Sequence, residues 1–239
     1  MNPLPARPSS RLAALVVCGL LSATACSDDG GDDAANGDQG ELAANARAAA
    51  VNVQLTDLPE GYLAVPPDDT EGNGAMLDGC VEDLDEVTVA EAESPTFQLQ
   101  SGDGINFVAS ETSVLSDSEP AARLLDSVAD QAVLDCLSQD LGEVLSSILP
   151  GATTETSLAL APDPDFPDVG DERVHVTGTA TFTRPDEEPI SISASLAFVQ
   201  TDDVLSVLLF GGIREPFPPE TLRSVAAAVA ERQSAERQS

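Results

Sequence analysis

Three runs follow one another near the C-terminal end: VHVTGTATFT (Val174–Thr183), ISISASLAFVQ (Ile190–Gln200) and VLSVLLF (Val204–Phe210). In the first, Val174, Val176, Gly178, Ala180 and Phe182 alternate with His175 and four threonines. In the second, Ile190, Ile192, Ala194, Leu196 and Phe198 alternate with serines. A period of two marks strands with one apolar face. The connections Arg184–Pro189 and Thr201–Asp203 are too short for anything but antiparallel neighbours. The third run is apolar on both faces, which predicts a strand covered on both sides. The threonine-faced strand belongs nearer an edge. His175, among those threonines, is expected to be solvated.

Working upstream, Pro150-Gly151 closes a segment with helical periodicity. Asp117-Ser118-Glu119-Pro120 supplies a capping oxygen, an early acid and a first-turn proline. The apolar stripe through Ala121, Leu124, Leu125 and Val128 continues to Ile148. That is long for one globular helix, so two are expected, with a break near Val133–Asp135. Phe97–Gln100 and Ile105–Val108 flank Ser101-Gly-Asp-Gly104, a hairpin signal. The in/out pattern slips near Ser110, which suggests a bulge. Val87–Ala90 is a weak strand, and Val51–Leu55 a short entry strand. Asp57–Tyr62 is a turn. Pro218-Pro219-Glu220 opens a final helix with Leu222, Val225, Ala226 and Val229 on one face. The expected fold is α+β: five or six mostly antiparallel strands with packed helices.

The N-terminus reads differently. Arg7 and Arg11 precede an apolar run, Leu12–Leu21, then Ser22-Ala-Thr-Ala25-Cys26. Ten apolar residues are about half of a membrane span, so 1–25 reads as a secretion signal. Cys26 is the expected lipid acceptor, although Ala23 stands where a lipobox prefers a larger aliphatic residue. Residues 26–50, acidic and rich in Gly, Asn and Ala, read as a disordered tether. Residues 51–232 are one domain, and the duplicated Glu-Arg-Gln-Ser at 231–234 and 236–239 places a frayed tail over 233–239. The expected location is outside the cytoplasm, held to the membrane by lipid. In an oxidising compartment Cys80 and Cys136 most simply form one disulfide.

The chain has 239 residues and a formal charge of −32, and all ten of its basic residues are arginine. Such a field repels nucleic acid. With no lysine, Schiff-base and P-loop chemistry are excluded. His175 is the sole histidine, and no Gly-x-Ser-x-Gly elbow accompanies it. Asp69-x-Glu71-x-Asn73-Gly74 starts like a calcium loop, but its twelfth position is Cys80 rather than an acid. Asp163, Asp165, Asp168 and Asp171 are interleaved with prolines and lack that loop's glycine. No metal site, cofactor or catalytic residue is therefore assigned.

Four features together resemble a group of actinobacterial envelope domains. These are Leu58-Pro-Glu-Gly61, the Phe107–Val114 strand, the Ala121–Leu149 helices with Cys136, and Gly170-Asp171 ahead of the meander. Such domains occur as lipoproteins and as extracellular sensor domains of receptor-type Ser/Thr kinases. Kinase-linked members often carry two disulfides; this domain has cysteines for one. The resemblance implies a non-enzymatic domain that binds a small molecule, a lipid or an envelope protein partner. A structural or scaffolding lipoprotein is the alternative, and a hydrolase lacks its motif. The ligand-binding residues are unknown. A cleft between the meander and the Ala121–Leu149 helices is the default place to look. Ala194, Ala197 and Gly178 either leave room there or let the helices pack close.

Overall fold

The computed structural model describes residues 32–65, 79–81, 84–149 and 151–237. The expected signal segment, Cys26, the start of the expected tether, the calcium-like run at 69–74 and the end of the expected tail lie outside them.

Among the described residues, nine strands form one sheet: β1 (Leu63–Val65), β2 (Thr88–Glu93), β3 (Thr96–Ser101), β4 (Gly104–Leu115), β5 (Thr153–Thr156), β6 (Ala161–Pro162), β7 (Glu172–Thr183), β8 (Ile190–Thr201) and β9 (Val204–Ile213). The order is β1-β3-β4-β9-β8-β7-β5, with β2 beside β4 and β6 beside β7, and every pair is antiparallel. The expected hairpin and meander are its middle. The count exceeds the expected five or six because β1, β5 and β6 are two to four residues long. Strands that short have no readable alternation.

Among the described residues, five α-helices cover the sheet: α1 (Asp32–Val51), α2 (Leu84–Val87), α3 (Ser118–Val128), α4 (Gln131–Ile148) and α5 (Pro219–Glu236). On one face, α3 and α4 bury Leu124, Leu125, Val128 and Leu137 against Phe182, Ile192, Phe198 and Val207. On the other, α1 and α5 bury Val51, Val225, Ala226 and Val229 against Val108, Val199, Leu208 and Phe210. Each fully buried side chain of this size contributes about 1.5–3 kcal/mol. The strands β4, β8 and β9 send alternate side chains into both layers, so the continuous apolar character of β9 follows directly.

Several expectations need correction. The break in the helix pair falls at Ala129–Asp130, four residues early: the amide of Asp130 bonds to the Ser127 carbonyl, and Asp130 is extended. No bulge interrupts β4 near Ser110, because its register with β9 is continuous from Ile105 to Val114. The pattern slips there because both faces are buried and the second is lined with polar groups. The extra residues lie on the strands along the other edge of β4: between Thr88 and Ala90 of β2, and facing Ser110, where Glu93 pairs with Glu111 but Phe97 with Val108. Residues 51–55 are not a strand; Val51 ends α1, and a 3-10 turn follows at Leu55–Asp57.

Both ends of the domain are more ordered than their composition suggests. The stretch 26–50, read as tether, is helical from Asp32, and Ala48 and Val51 are fully buried. The helix docks through Arg47, whose guanidinium pairs with both carboxylate oxygens of Asp203 at 2.8 and 2.6 Å. The stretch 233–239, read as frayed, is helical to Glu236, and Gln233 is fully buried.

Candidate functional site

A polar seam runs through the layer between α1, α5 and the sheet. Gln233 donates from Nε2 to the Val199 carbonyl at 3.1 Å and to Ser206 Oγ at 3.0 Å, and accepts from Thr201 at 3.0 Å. Ser206 Oγ lies 2.9 Å from Thr112 Oγ1, which donates to Asn52 Oδ1 at 2.9 Å. Ser110 Oγ also donates to Asn52 Oδ1 and accepts the Val53 amide, both at 2.9 Å. Arg232 closes the seam, bonding the Val51 and Asn52 carbonyls and both oxygens of Asp57. Buried polar groups this well paired lock one arrangement of neighbours. The seam is a structural lock.

His175 is 7% exposed rather than solvated. Register places Asp163 opposite it, one step beyond the β6–β7 pairs Ala161↔Thr177 and Pro162↔Val176. Nδ1 lies 3.1 Å from Asp163 Oδ2, and the ring stacks on Phe166 with centroids 4.7 Å apart. Nε2 is buried without a hydrogen-bond partner among the described residues. Burial pushes the imidazole below its ordinary value, while the charge and hydrogen bond of Asp163 pull the other way. The ring is thus walled in by Phe166 and Asp163. Two other acids of this run are also engaged: Asp168 pairs with Arg173, and Asp171 accepts the Asp202 amide and faces Arg237.

The anticipated cleft between meander and helices is filled. Ala194 faces α3 and α4, but Ala197 points to the opposite layer. A Cβ on Gly178 would lie 2.6 Å from the Ala159 carbonyl, because the segment 157–160 crosses the strand there. The small residue admits a backbone, not a ligand. Leu158 and Leu160 on that segment are buried, and Ser138 Oγ accepts the Leu160 amide at 2.9 Å.

Two surface grooves flank α4. One, of about 510 Å³, lies between α4 and the crossing segment and has a polar rim of Gln131, Asp135, Gln139 and Glu143. The other, of about 630 Å³, lies between the Gly79–Val87 segment and α3/α4. Its lining is mainly apolar, with Val81, Leu84, Val87, Leu124 and Val133, and Arg123 stands at its edge. The Cys80–Cys136 disulfide forms one wall, with Cα atoms 5.6 Å apart. Asp140 sits 3.2 Å from the Cys80 sulfur. Elsewhere, Glu91 and Glu93 of β2 share a face with the buried Glu111 of β4, their carboxylate oxygens within 4.8 Å of one another. Burial raises the Glu93 carboxyl above its usual value. Sequence reasoning missed this grouping because it depends on the β2–β4 register.

The fold and grooves define an α+β domain with one antiparallel sheet between two helical layers. No family model matches the chain, and no curated protein matches it. Among solved structures it is similar to LpqN of Mycobacterium tuberculosis, described as involved in cell envelope biogenesis. The identity is 12%, over 73% of this chain and 78% of that one, with a TM-score of 0.28. A match of that quality assigns neither fold nor role. Among the described residues no helix is long and apolar enough to cross a membrane.

Proposed function

We propose that the chain is an exported envelope lipoprotein, tied to the membrane through Cys26, that works by binding a small molecule, a lipid or an envelope protein rather than by catalysis. The observation that carries the binding reading is the apolar groove beside the disulfide, of about 630 Å³. Its size suits a drug-sized molecule or part of an acyl chain. Support for export comes from the arginine-flanked apolar run ending at Cys26 and from the paired Cys80 and Cys136. Support for a non-catalytic role comes from His175, the sole histidine, whose ring is packed against Phe166 and held by Asp163. The actinobacterial sensor-domain resemblance points the same way.

Two experiments test this reading. Growth on a palmitate analogue should label the wild-type protein and not Cys26→Ala; equal labelling of both removes the anchor. Native mass spectrometry of the detergent-solubilised protein, followed by organic extraction, should reveal an apolar ligand that is lost on Val133→Trp. A second reading is favoured by the filling of the meander–helix space by Ala159 and Phe107. On that reading the chain is a scaffold. An apo mass together with a stoichiometric envelope protein recovered after cross-linking would replace ligand carriage with scaffolding.

A further inference from the structure

The segment 163–171 (Asp-Pro-Asp-Phe-Pro-Asp-Val-Gly-Asp) joins β6 to β7 and folds over the α1/α5 face of the sheet. Phe166 is buried in that layer and Val169 packs against it. Four fastenings hold the segment down. The Asp163 amide donates to the His175 carbonyl at 2.8 Å, and the Asp171 amide to the Gln200 carbonyl at 2.7 Å. Asp168 pairs with Arg173 at 2.5 Å. The fourth is the His175 ring itself, set between Asp163 and Phe166. Gly170, at φ +71°, permits the close approach: a Cβ there would lie 2.5 Å from the Gln200 carbonyl oxygen.

We propose that this segment is a proton-operated strap, latched by His175 and released when the ring takes a second proton. With one proton on Nδ1, the ring donates to Asp163 and leaves only a lone pair at the buried Nε2. A second proton creates a charge and a donor N–H where no acceptor stands among the described residues. Asp163 is the carboxylate that opposes this. Arg173, two residues earlier on β7, is committed to Asp168. Across the sheet the ring faces Ala197 of β8, and the buried side chains that α5 brings to this layer are Leu222, Val225, Ala226, Val229, Ala230 and Gln233, none of which titrates. Burial therefore outweighs the single counter-charge, in line with the lowered affinity of the ring for its second proton. The sign follows. The latch is fully engaged above the free imidazole value of about 6.5 and is lost as pH falls through the lower folded value. Release uncovers Phe166 and Val169 and the sheet surface beneath them.

Because the chain has one histidine, its imidazole C2 proton gives one resolved NMR signal. In the full-length protein the titration midpoint should lie below 6.5. Across that window, exchange of the Asp163 and Asp171 amides, corrected for intrinsic rate, should rise at least tenfold. Asp163→Asn removes the counter-charge and should move the midpoint lower still. His175→Gln should make strap exchange independent of pH. A midpoint at or above 6.5, or strap protection that stays constant while the ring titrates, overturns the proposal.

Discussion

At the scale of single residues, Gln233 has the largest structural consequence relative to its sequence signal. It stands in a polar repeat at the end of the chain, yet it is fully buried and holds Thr201, Val199 and Ser206 together. Gln233→Ala leaves those groups short of partners in a dry site. It should lower the unfolding free energy by about 2–4 kcal/mol, read from urea melts. Periodicity could place α5 but could not say that one of its amides enters the core, because the partners come from β8 and β9. His175 was misread for a similar reason. Alternation placed it on the polar face of β7, and nothing local announces that a loop nine residues upstream covers that face. Phe166, a lone aromatic in an acidic run, is the clue in hindsight: an aromatic there needs somewhere to go.

Among the elements, the meander was legible because its strands are long, its turns short and its alternation strict. The hairpin before it was legible from its Gly-Asp-Gly turn. β4 was the difficult strand. Asn106, Ser110, Thr112 and the buried Glu111 give it a half-exposed look, but it lies centrally between β9 and the β2/β3 pair. Its polar side chains on the α1/α5 face form the seam, a tertiary event that composition does not encode. The same strand explains Gly211 on β9. An added Cβ there would fall within the ring of Phe107, which lies flat across the strand. Gly211→Ala should displace that ring and cost about 1–3 kcal/mol. Paired with Phe107→Leu it should cost less than the sum of the two single changes. A double-mutant cycle of denaturant melts measures the difference.

For the molecule as a whole, the disulfide spans 56 residues and fastens the loop before α2 to α4. The chain-entropy model assigns such a closure about 4 kcal/mol. Reduction, or Cys80→Ser with Cys136→Ser, should lower the unfolding free energy read from urea melts by up to that amount and widen the apolar groove. The pairing was readable from cysteine number and the expected compartment; the groove it walls was not, since its lining comes from three separate segments. The composition argued against nucleic acid as a partner but could not place the acids. Many prove to be fasteners within the domain, as Asp57, Asp163, Asp168 and Asp203 do.

The strands β4, β8 and β9 are common walls of both apolar layers. Neither layer can melt while the other stays intact, since loosening one side strips the backing from the next. Calorimetry should therefore record one endotherm, and a cavity cut beneath α4, by Leu137→Ala, should soften the distant α1/α5 side by the same number of degrees.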